Sequence, residues 1–572
     1  MIRGPKKTLK SHMGEGEHPV VRLPEEQEQV TLTIDGREVT VPRGTKLLTA
    51  ALHAGIHIPY FCYHPGLSPE GNCRMCLVEI EGSRKLEPSC TMPVREGMTV
   101  HTDTEEVADA RRGVMEFLLL NHPLDCPWCD KAGECMLQDH SYDYGPGTAR
   151  HEVVKRTYPT KQFSDKLKMY MNRCIHCTRC VRFLKEVEGK EEFSLYQRGA
   201  YVDVGTYIEH NLSNNYQGCL ADVCPVGALV TRPFLYRARV FDLEAQASVC
   251  SMCSAGCSVY VDRKRNRVAR LRPRPNLQVN DWWMCDTGRF EFDWIATDRL
   301  DEPAREAEGG AEGRMVAIGW EEALPTAAAA LKSAGEAGTL GGIVSARASC
   351  EETWLFRRLM EGLGGRIAPW YGEEGRIDPA EKTDFLHRRD PNPNTLGMET
   401  ALEGWEELEE LVGAIETGEV TTLFILDAAL TDELAARLSG AEVIVVLSSH
   451  RTPATTAATL VLPGAVWLEK EGTLVNGDGH LQRFLKALDI ETSAQPEAAV
   501  LSSLLERTGA GRTYRDAGEV FSELASRVAD FEDLTYADIP PNGYRLSFGI
   551  ESAGGRPEDP GHGVHPGTGT GR

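Results

Sequence analysis

Residues 174–180 read Cys-Ile-His-Cys-Thr-Arg-Cys, and a Cys-Pro pair follows at 224–225. The same habit recurs on both sides. Upstream stand "CYHPGLSPEGNCRMC" (62–76) with Cys90, and "HPLDCPWCDKAGEC" (122–135). Downstream stands "CSMCSAGC" (250–257) with Cys285. The chain has 17 cysteines, and all but Cys350 lie at or before Cys285. The N-terminus, "MIRGPKKTLKSHMGEGEHPV", is basic and lacks an apolar stretch, so no signal peptide is expected. A long chain without one is a poor setting for a disulfide framework, and the Cys-x-x-Cys pairs read as metal sites.

The remaining composition narrows the class. At 572 residues the chain suggests about four domains of ~150 residues. Its formal charge of −23 argues against nucleic acid, whose phosphates need a basic surface. No apolar run approaches the ~18 residues of a membrane span, so any link to a membrane is expected to run through a partner. "QVTLTIDGREVTVP" (29–42) alternates around Asp35-Gly36 and predicts a β-hairpin. "TKLLTAALHAG" (45–55) predicts a helix ending at Gly55. Val107, Ala110, Val114 and Phe117 recur at helical spacing in 104–123, with His122 just past the end. Beyond about 304, helical segments (321–333, 350–363, 403–416, 431–438) alternate with the apolar runs "TLGGIVSA", "TTLFILDA" and "AEVIVVLSS". That alternation predicts an α/β domain on a largely parallel sheet.

The cysteines fall into four sets. Cys62, Cys73, Cys76 and Cys90 have gaps of ten, two and thirteen residues. Gly71-Asn72 let backbone N–H groups approach cluster sulfurs, which stabilises the reduced state, and the layout is related to that of a plant-type 2Fe-2S site, although the spacing differs. Zinc sites usually pair two short Cys-x-x-Cys knuckles, and only one is present here. His122, Cys126, Cys129 and Cys135 are a zinc set or a 4Fe-4S set when taken alone. In a cluster, a neutral imidazole in place of a thiolate removes one negative charge and should raise the potential. Cys174, Cys177 and Cys180 resemble the start of a bacterial ferredoxin run, and Cys224 before Pro225 can complete it. Cys219 is left over and reads as packing, as does Cys350. His176 reads as solvated or hydrogen-bonded. Cys250, Cys253, Cys257 and Cys285 form the fourth set, where zinc is a fair rival.

In this order the motifs resemble the G subunit, the large iron–sulfur subunit, of bacterial NADH:quinone oxidoreductase (respiratory complex I). The resemblance is strong over about 29–303. It implies a 2Fe-2S centre on Cys62, Cys73, Cys76 and Cys90. It implies 4Fe-4S centres on His122/Cys126/Cys129/Cys135 and on Cys174/Cys177/Cys180/Cys224. The 250–285 set looks like the additional 4Fe-4S centre of some members, off the main electron path. Residues 304–545 resemble the molybdopterin oxidoreductase fold. "SARASCEETWLFRRL" looks like its helix start, with Cys350 at the Asn position. "EKEGTLVNGDGHLQR" looks like a later segment, with His480 at the Arg position. The molybdenum-ligating Cys-His pair should fall near "WYGEEGR" (370–376) and is missing there, and the domain is short for two pterins. The domain is thus expected to keep the fold without molybdenum.

The resulting expectation is a multidomain α+β and α/β chain. Its parts are a tail (1–28), a β-grasp 2Fe-2S ferredoxin domain (29–105), a His-Cys 4Fe-4S domain (106–150) and a 4Fe-4S ferredoxin-like domain (151–245). An additional 4Fe-4S domain (246–303), a degenerate molybdopterin-oxidoreductase-like domain (304–545) and a second disordered tail (546–572) follow. The resemblance implies an electron relay within an oxidoreductase complex, peripheral on the cytoplasmic side of a bacterial inner membrane. Its partners would be a flavin-bearing NADH-binding subunit, a 4Fe-4S subunit near the quinone site and other peripheral-arm subunits. No Gly-x-Gly-x-x-Gly follows a strand, so no FMN or NAD is expected on this chain. The rival is the molybdopterin catalytic subunit of an NAD-linked formate dehydrogenase, which the missing Cys-His pair disfavours. A small diaphorase-type hydrogenase subunit would stop soon after Cys224. A zinc-knuckle scaffold fits the 62–90 spacing worst.

Overall fold

Asp35 and Gly36 both take positive φ, 48° and 78°, as a two-residue hairpin between right-twisted strands requires. They fold Gln29–Ile34 onto Arg37–Pro42, with Ile34 opposite Arg37. Val30, Leu32 and Ile34 share the buried face. The Asp35 carboxylate accepts the Thr102 amide at 2.7 Å and so ties the turn to the neighbouring strand Thr99–His101. That sheet runs Arg37–Pro42, Gln29–Ile34, Thr99–His101, Leu77–Ile80, Glu87–Pro88. The helix Leu47–His53 lies on it with Leu47 to Leu52 buried. This is a computed structural model, and it describes residues 20–24, 28–207, 211–307 and 315–546. The tails expected at 1–28 and 546–572 lie outside the described residues, apart from 20–24, 28 and 546.

The next helix, Glu105–Asn121, begins where Thr104 accepts the Val107 amide at 3.3 Å. Glu105 and Glu106 complement its positive end. Its buried stripe is not the one the apolar spacing suggests. Val107, Arg111 and Met115 face inward, whereas Phe117 is 78% exposed. Arg111 is held in the interior by donating to the Leu77 carbonyl at 3.0 Å. His122 is extended, with φ −65° and ψ 128°, as the residue before Pro123 should be.

The C-terminal sheet has seven strands. Their order is Met315–Ala317, Ala304–Glu306, Leu460–Pro463, Val443–Ser448, Thr422–Leu426, Leu340–Ser345, Arg366–Trp370. The last five are parallel and the first two antiparallel. Every residue of Leu340–Ser345 and Thr422–Leu426 is buried, as helices on both faces demand. The helix Cys350–Leu363 matches its expected span and opens with a capping box between Ser349 and Glu352. Others shift: Trp320–Ala337 is longer than expected. The helix expected over 403–416 is only Leu408–Glu416, because Gly404 turns at φ 72°. Arg366–Trp370 carries Pro369, which an edge strand tolerates. No helix among the described residues is long and apolar enough to cross a membrane.

One hydrophobic cluster runs through all the cysteine-bearing segments. It joins Phe61, Met75, Met115, Phe183, Tyr216 and Trp283, and reaches Val466 and Leu468 of the C-terminal domain. The cysteine loops therefore share a rigid floor.

Candidate metal centres

In the first set, Cys62, Cys76 and Cys90 are buried and Cys73 is partly exposed. The Cys62 side chain bonds to those of Cys73 and Cys90, and Cys76 to Cys90. The Cys62 amide also donates to Cys73 Sγ at 3.5 Å. Gly71 and Arg74 take φ of 69° and 59°, curling the loop so that amides of Asn72 and Met75 face sulfurs. Hydrogen bonds from the Cys73 and Cys90 thiols hold the Cys62 thiol down, and donating to Cys62 and Cys76 pushes the Cys90 thiol up. Four thiols this close share protons, and metal binding would displace them.

In the second set, Cys129 faces both Cys126 and Cys135. Cys126 is exposed and the other two are buried. The His122 Nδ1 atom is buried with no hydrogen-bond partner. Burial, and then Lys155 and Arg173, hold its imidazole down to about 4. It is thus neutral at pH 7, the form a metal ligand needs. Arg173 faces both His122 and Cys129 and bonds Asp125 at 2.8 Å.

In the third set, Cys174, Cys177, Cys180 and Cys224 face one another. His176 and Thr178 take φ of 52° and 62°, and the His176 amide donates to Cys174 Sγ at 3.4 Å. Its ring lies 3.0 Å from the Val202 carbonyl, in keeping with its reading as a hydrogen-bonding side chain. Cys224 caps the end of the helix Gln217–Val223. Cys219 is fully buried, and its thiol donates to the Met284 carbonyl at 3.2 Å.

In the fourth set, Cys257 faces Cys250, Cys253 and Cys285. Gly256, at φ 57°, closes the loop, and the Cys250 amide donates to the Cys257 carbonyl at 2.8 Å. The Gly288 amide donates to Cys285 Sγ at 3.3 Å. A methyl group at Gly288 would stand 2.9 Å from Cys250 Sγ, so only glycine leaves room for both sulfurs.

The donor chemistry of these sets fits iron–sulfur clusters: thiols most of which are buried, backbone N–H groups on sulfur and a buried unpartnered imidazole nitrogen. Among the described residues no three His, Cys, Asp or Glu side chains are gathered so as to hold a metal ion. A lone zinc ion draws every sulfur to about 2.3 Å from one point. Cluster cysteines bind different irons.

The sets are joined by arginines that local sequence reading missed. Arg182 Nη2 donates to the carbonyls of Cys62 and Cys177, linking the first set to the third. Arg173, beside Cys174, reaches the Gly227 carbonyl at 3.5 Å. A methyl group at Gly227 would stand 2.1 Å from Cys129 Sγ. The Met136 amide donates to the Pro225 carbonyl at 3.1 Å. The third set thus abuts the second. Their burial is the one local clue: Arg173, Arg179 and Arg182 are each under a tenth exposed.

In the C-terminal domain Cys350 is fully buried, 3.6 Å from Asn394 Oδ1. His480 faces Gln278 at 3.1 Å. Strand order reverses beside Leu340–Ser345, where open α/β sheets take ligands at the carboxyl ends. There Lys470 Nζ lies 2.7 Å from Glu352 Oε1 and 2.7 Å from Glu497 Oε2. All three are buried, and Asp427 faces them.

Comparison with known families follows this layout. Residues 27–105 match a 2Fe-2S iron-sulfur cluster binding domain, and 111–150 the NADH-ubiquinone oxidoreductase-G iron-sulfur binding region. Residues 164–230 match the NADH-quinone oxidoreductase subunit 3 ferredoxin-like domain. Residues 243–295 match the molybdopterin oxidoreductase Fe4S4 domain, and 399–507 molybdopterin oxidoreductase. The G subunit of NADH-quinone oxidoreductase from Rickettsia conorii is 39% identical over 372 residues, 65% of this chain and 54% of that protein. The chain is similar to that G subunit over this stretch. Its counterpart from Streptomyces coelicolor is 41% identical over 368 residues, 63% of this chain and 42% of that one. The mitochondrial NADH-ubiquinone oxidoreductase 78 kDa subunit of Candida albicans is 43% identical over 340 residues, 59% and 46% of the two chains. The chain spans about half the length of the curated relatives it matches. A chain of an NAD+-reducing [NiFe]-hydrogenase is 31% identical, with a TM-score of 0.34, over 36% of this chain and 90% of that one. The expected fold class holds: a 2Fe-2S domain, ferredoxin-like 4Fe-4S domains and a molybdopterin-oxidoreductase domain, in that order.

Proposed function

We propose that this chain is an iron–sulfur electron relay of an NADH:quinone oxidoreductase. Cys62, Cys73, Cys76 and Cys90 would hold a 2Fe-2S cluster. Three 4Fe-4S clusters would be held by His122 with Cys126, Cys129 and Cys135, by Cys174, Cys177, Cys180 and Cys224, and by Cys250, Cys253, Cys257 and Cys285. When bound, such clusters carry single electrons, from the first set to the third and then to the second. The observation that carries this reading is the spatial order of the sets. Arg182 joins the first to the third, and the Arg173–Gly227 contact joins the third to the second. The residues need no acid, base or nucleophile for this task. They fix spacing and tune potential.

The domain division given above is retained in this reading. A flavin-bearing partner would sit beside the first set. A second iron–sulfur partner would sit beside the second, where Cys126 is exposed between Leu124 and Trp128, themselves 88% and 72% exposed. The chain would lie peripherally on the cytoplasmic face of a bacterial inner membrane.

Anaerobically isolated protein should contain about fourteen irons per chain, matched by acid-labile sulfide. An iron content near that figure without molybdenum supports the relay. Stoichiometric molybdenum would instead make this a catalytic subunit. His122→Cys adds a thiolate to the second centre. Its midpoint, read by potentiometric electron paramagnetic resonance, should move to a more negative value at unchanged iron content. An unmoved midpoint would remove His122 from the ligand set.

A further inference from the structure

The loop carrying Cys250, Cys253 and Cys257 is clamped from one side by the C-terminal domain. Arg347 Nη2 donates to the Ser251 carbonyl at 3.1 Å. The Ser254 amide donates to the Asp390 carbonyl at 3.0 Å, and its hydroxyl to the Pro379 carbonyl at 2.7 Å. Gly477, Asn476 and Gln482 donate to the carbonyls of Ser254, Ala255 and Gly256 at 2.7, 3.0 and 2.7 Å. Two cations come with this clamp. Arg388 is 4% exposed, with its amide facing the Cys253 sulfur and its charge facing Cys253 and Cys257. Arg347 faces Cys250.

We propose that Arg347 and Arg388 hold the reduction potential of the fourth cluster above the value its four thiolates alone would give. The inference rests on the reading that Cys250, Cys253, Cys257 and Cys285 bind a 4Fe-4S cluster. A cluster gains one negative charge on reduction, and a fixed buried cation stabilises that state. Arginine stays charged at any working pH. Acids face the same cysteines, Asp390 toward Cys253 and Asp286 toward Cys285, but they stay in place when an arginine is replaced, so the arginine alone sets the sign of the change. Arg388 bonds Asp478 at 2.6 Å, but Asp478 is 48% exposed and solvent screens it. Arg347 hydrogen-bonds two carbonyls, those of Ser251 and Pro391. The acids facing it are Asp427 and Asp390. The Asp390 carboxylate accepts hydrogen bonds from Asn392 and Thr395. The domain that resembles a cofactor-binding fold thus serves the neighbouring cluster as an electrostatic wall.

The test is potentiometric electron paramagnetic resonance on the full, anaerobically prepared chain. Cys250→Ser assigns the fourth signal by its loss. Arg347→Gln and Arg388→Gln should each move that midpoint to a more negative value. Arg347→Lys and Arg388→Lys should restore it. The other three midpoints and the iron content should stay at the parent values. An unmoved fourth midpoint in both glutamine variants overturns the proposal. So does a glutamine shift, or an iron loss, that lysine fails to restore, because shape rather than charge would then matter. If Cys250→Ser removes no signal and no iron, the cluster assignment itself fails, before any arginine is changed.

Discussion

Lys470→Met should destabilise the C-terminal domain by about 3–5 kcal/mol, the usual cost of removing one partner from a buried ion set. Lys470 is 9% exposed, and both carboxylates it holds are buried deeper. Its ammonium is raised well above the ordinary lysine value by Glu352, Glu497 and Asp427, which outweigh burial. A raised lysine contributes stability fully below its unfolded value of about 10.4 and loses it only as pH rises through the folded value. At pH 7 the contribution is complete. Glu497 behaves differently. Burial pushes it up to about 8, against the pull of Lys470. Its Oε1 is buried without a partner. An acid raised in the native state binds more protons there than when unfolded, so stability falls as pH rises toward 8. Without Lys470 the Glu497 carboxyl rises further, and the deficit of the variant should grow between pH 7 and pH 9, as the parent's Glu497 ionises and the variant's does not. Denaturant unfolding of the full chain at both pH values checks this. A loss under about 1 kcal/mol, the level of a surface pair, would mean that water reaches the group. Adding Glu497→Gln should recover part of the loss, since the variant then has one fewer buried acid to keep protonated on folding.

Gly227→Ala should empty the second metal centre while sparing the third. The added methyl group would overlap Cys129 Sγ at 2.1 Å and press on Lys131 Cβ at 3.2 Å. Gly227 is not among the positive-φ glycines, so the backbone tolerates alanine and the effect is purely one of space. Iron should fall by about four per chain, with loss of the second centre's signal and of electron delivery to an external acceptor. Full iron content in this variant would show that Cys129 is free to move, and that Gly227 is not its wall.

What the sequence revealed was what neighbouring residues decide. Asp35-Gly36 announced the hairpin because few other pairs accept two positive φ angles. The helix read over 350–363 formed over those residues, where the structure adds a capping box between Ser349 and Glu352. The apolar runs 339–346, 421–428 and 441–449 were long enough to read as fully buried strands. All four cysteine sets stood out by spacing. What stayed illegible depends on partners far along the chain. Phe117 sits at a core spacing yet faces out, because Arg111 found a carbonyl in the adjoining sheet. Arg366–Trp370 was hidden by Pro369. Lys470 reads as one charge among several in "LEKEG", until Glu352 and Glu497 close on it from two other helices. The arginines 173, 182 and 347 are bland in sequence, since each acts through a carbonyl supplied from elsewhere.

The wall that Gly227 forms against Cys129 also bears on how the protein is made. A chain leaves the ribosome N-terminus first. When Cys126, Cys129 and Cys135 have emerged, the residues that complete their enclosure do not yet exist. Those residues arrive just after Cys224, the final cysteine of the third set. The wall against Cys129 can therefore close only after synthesis has passed Cys224.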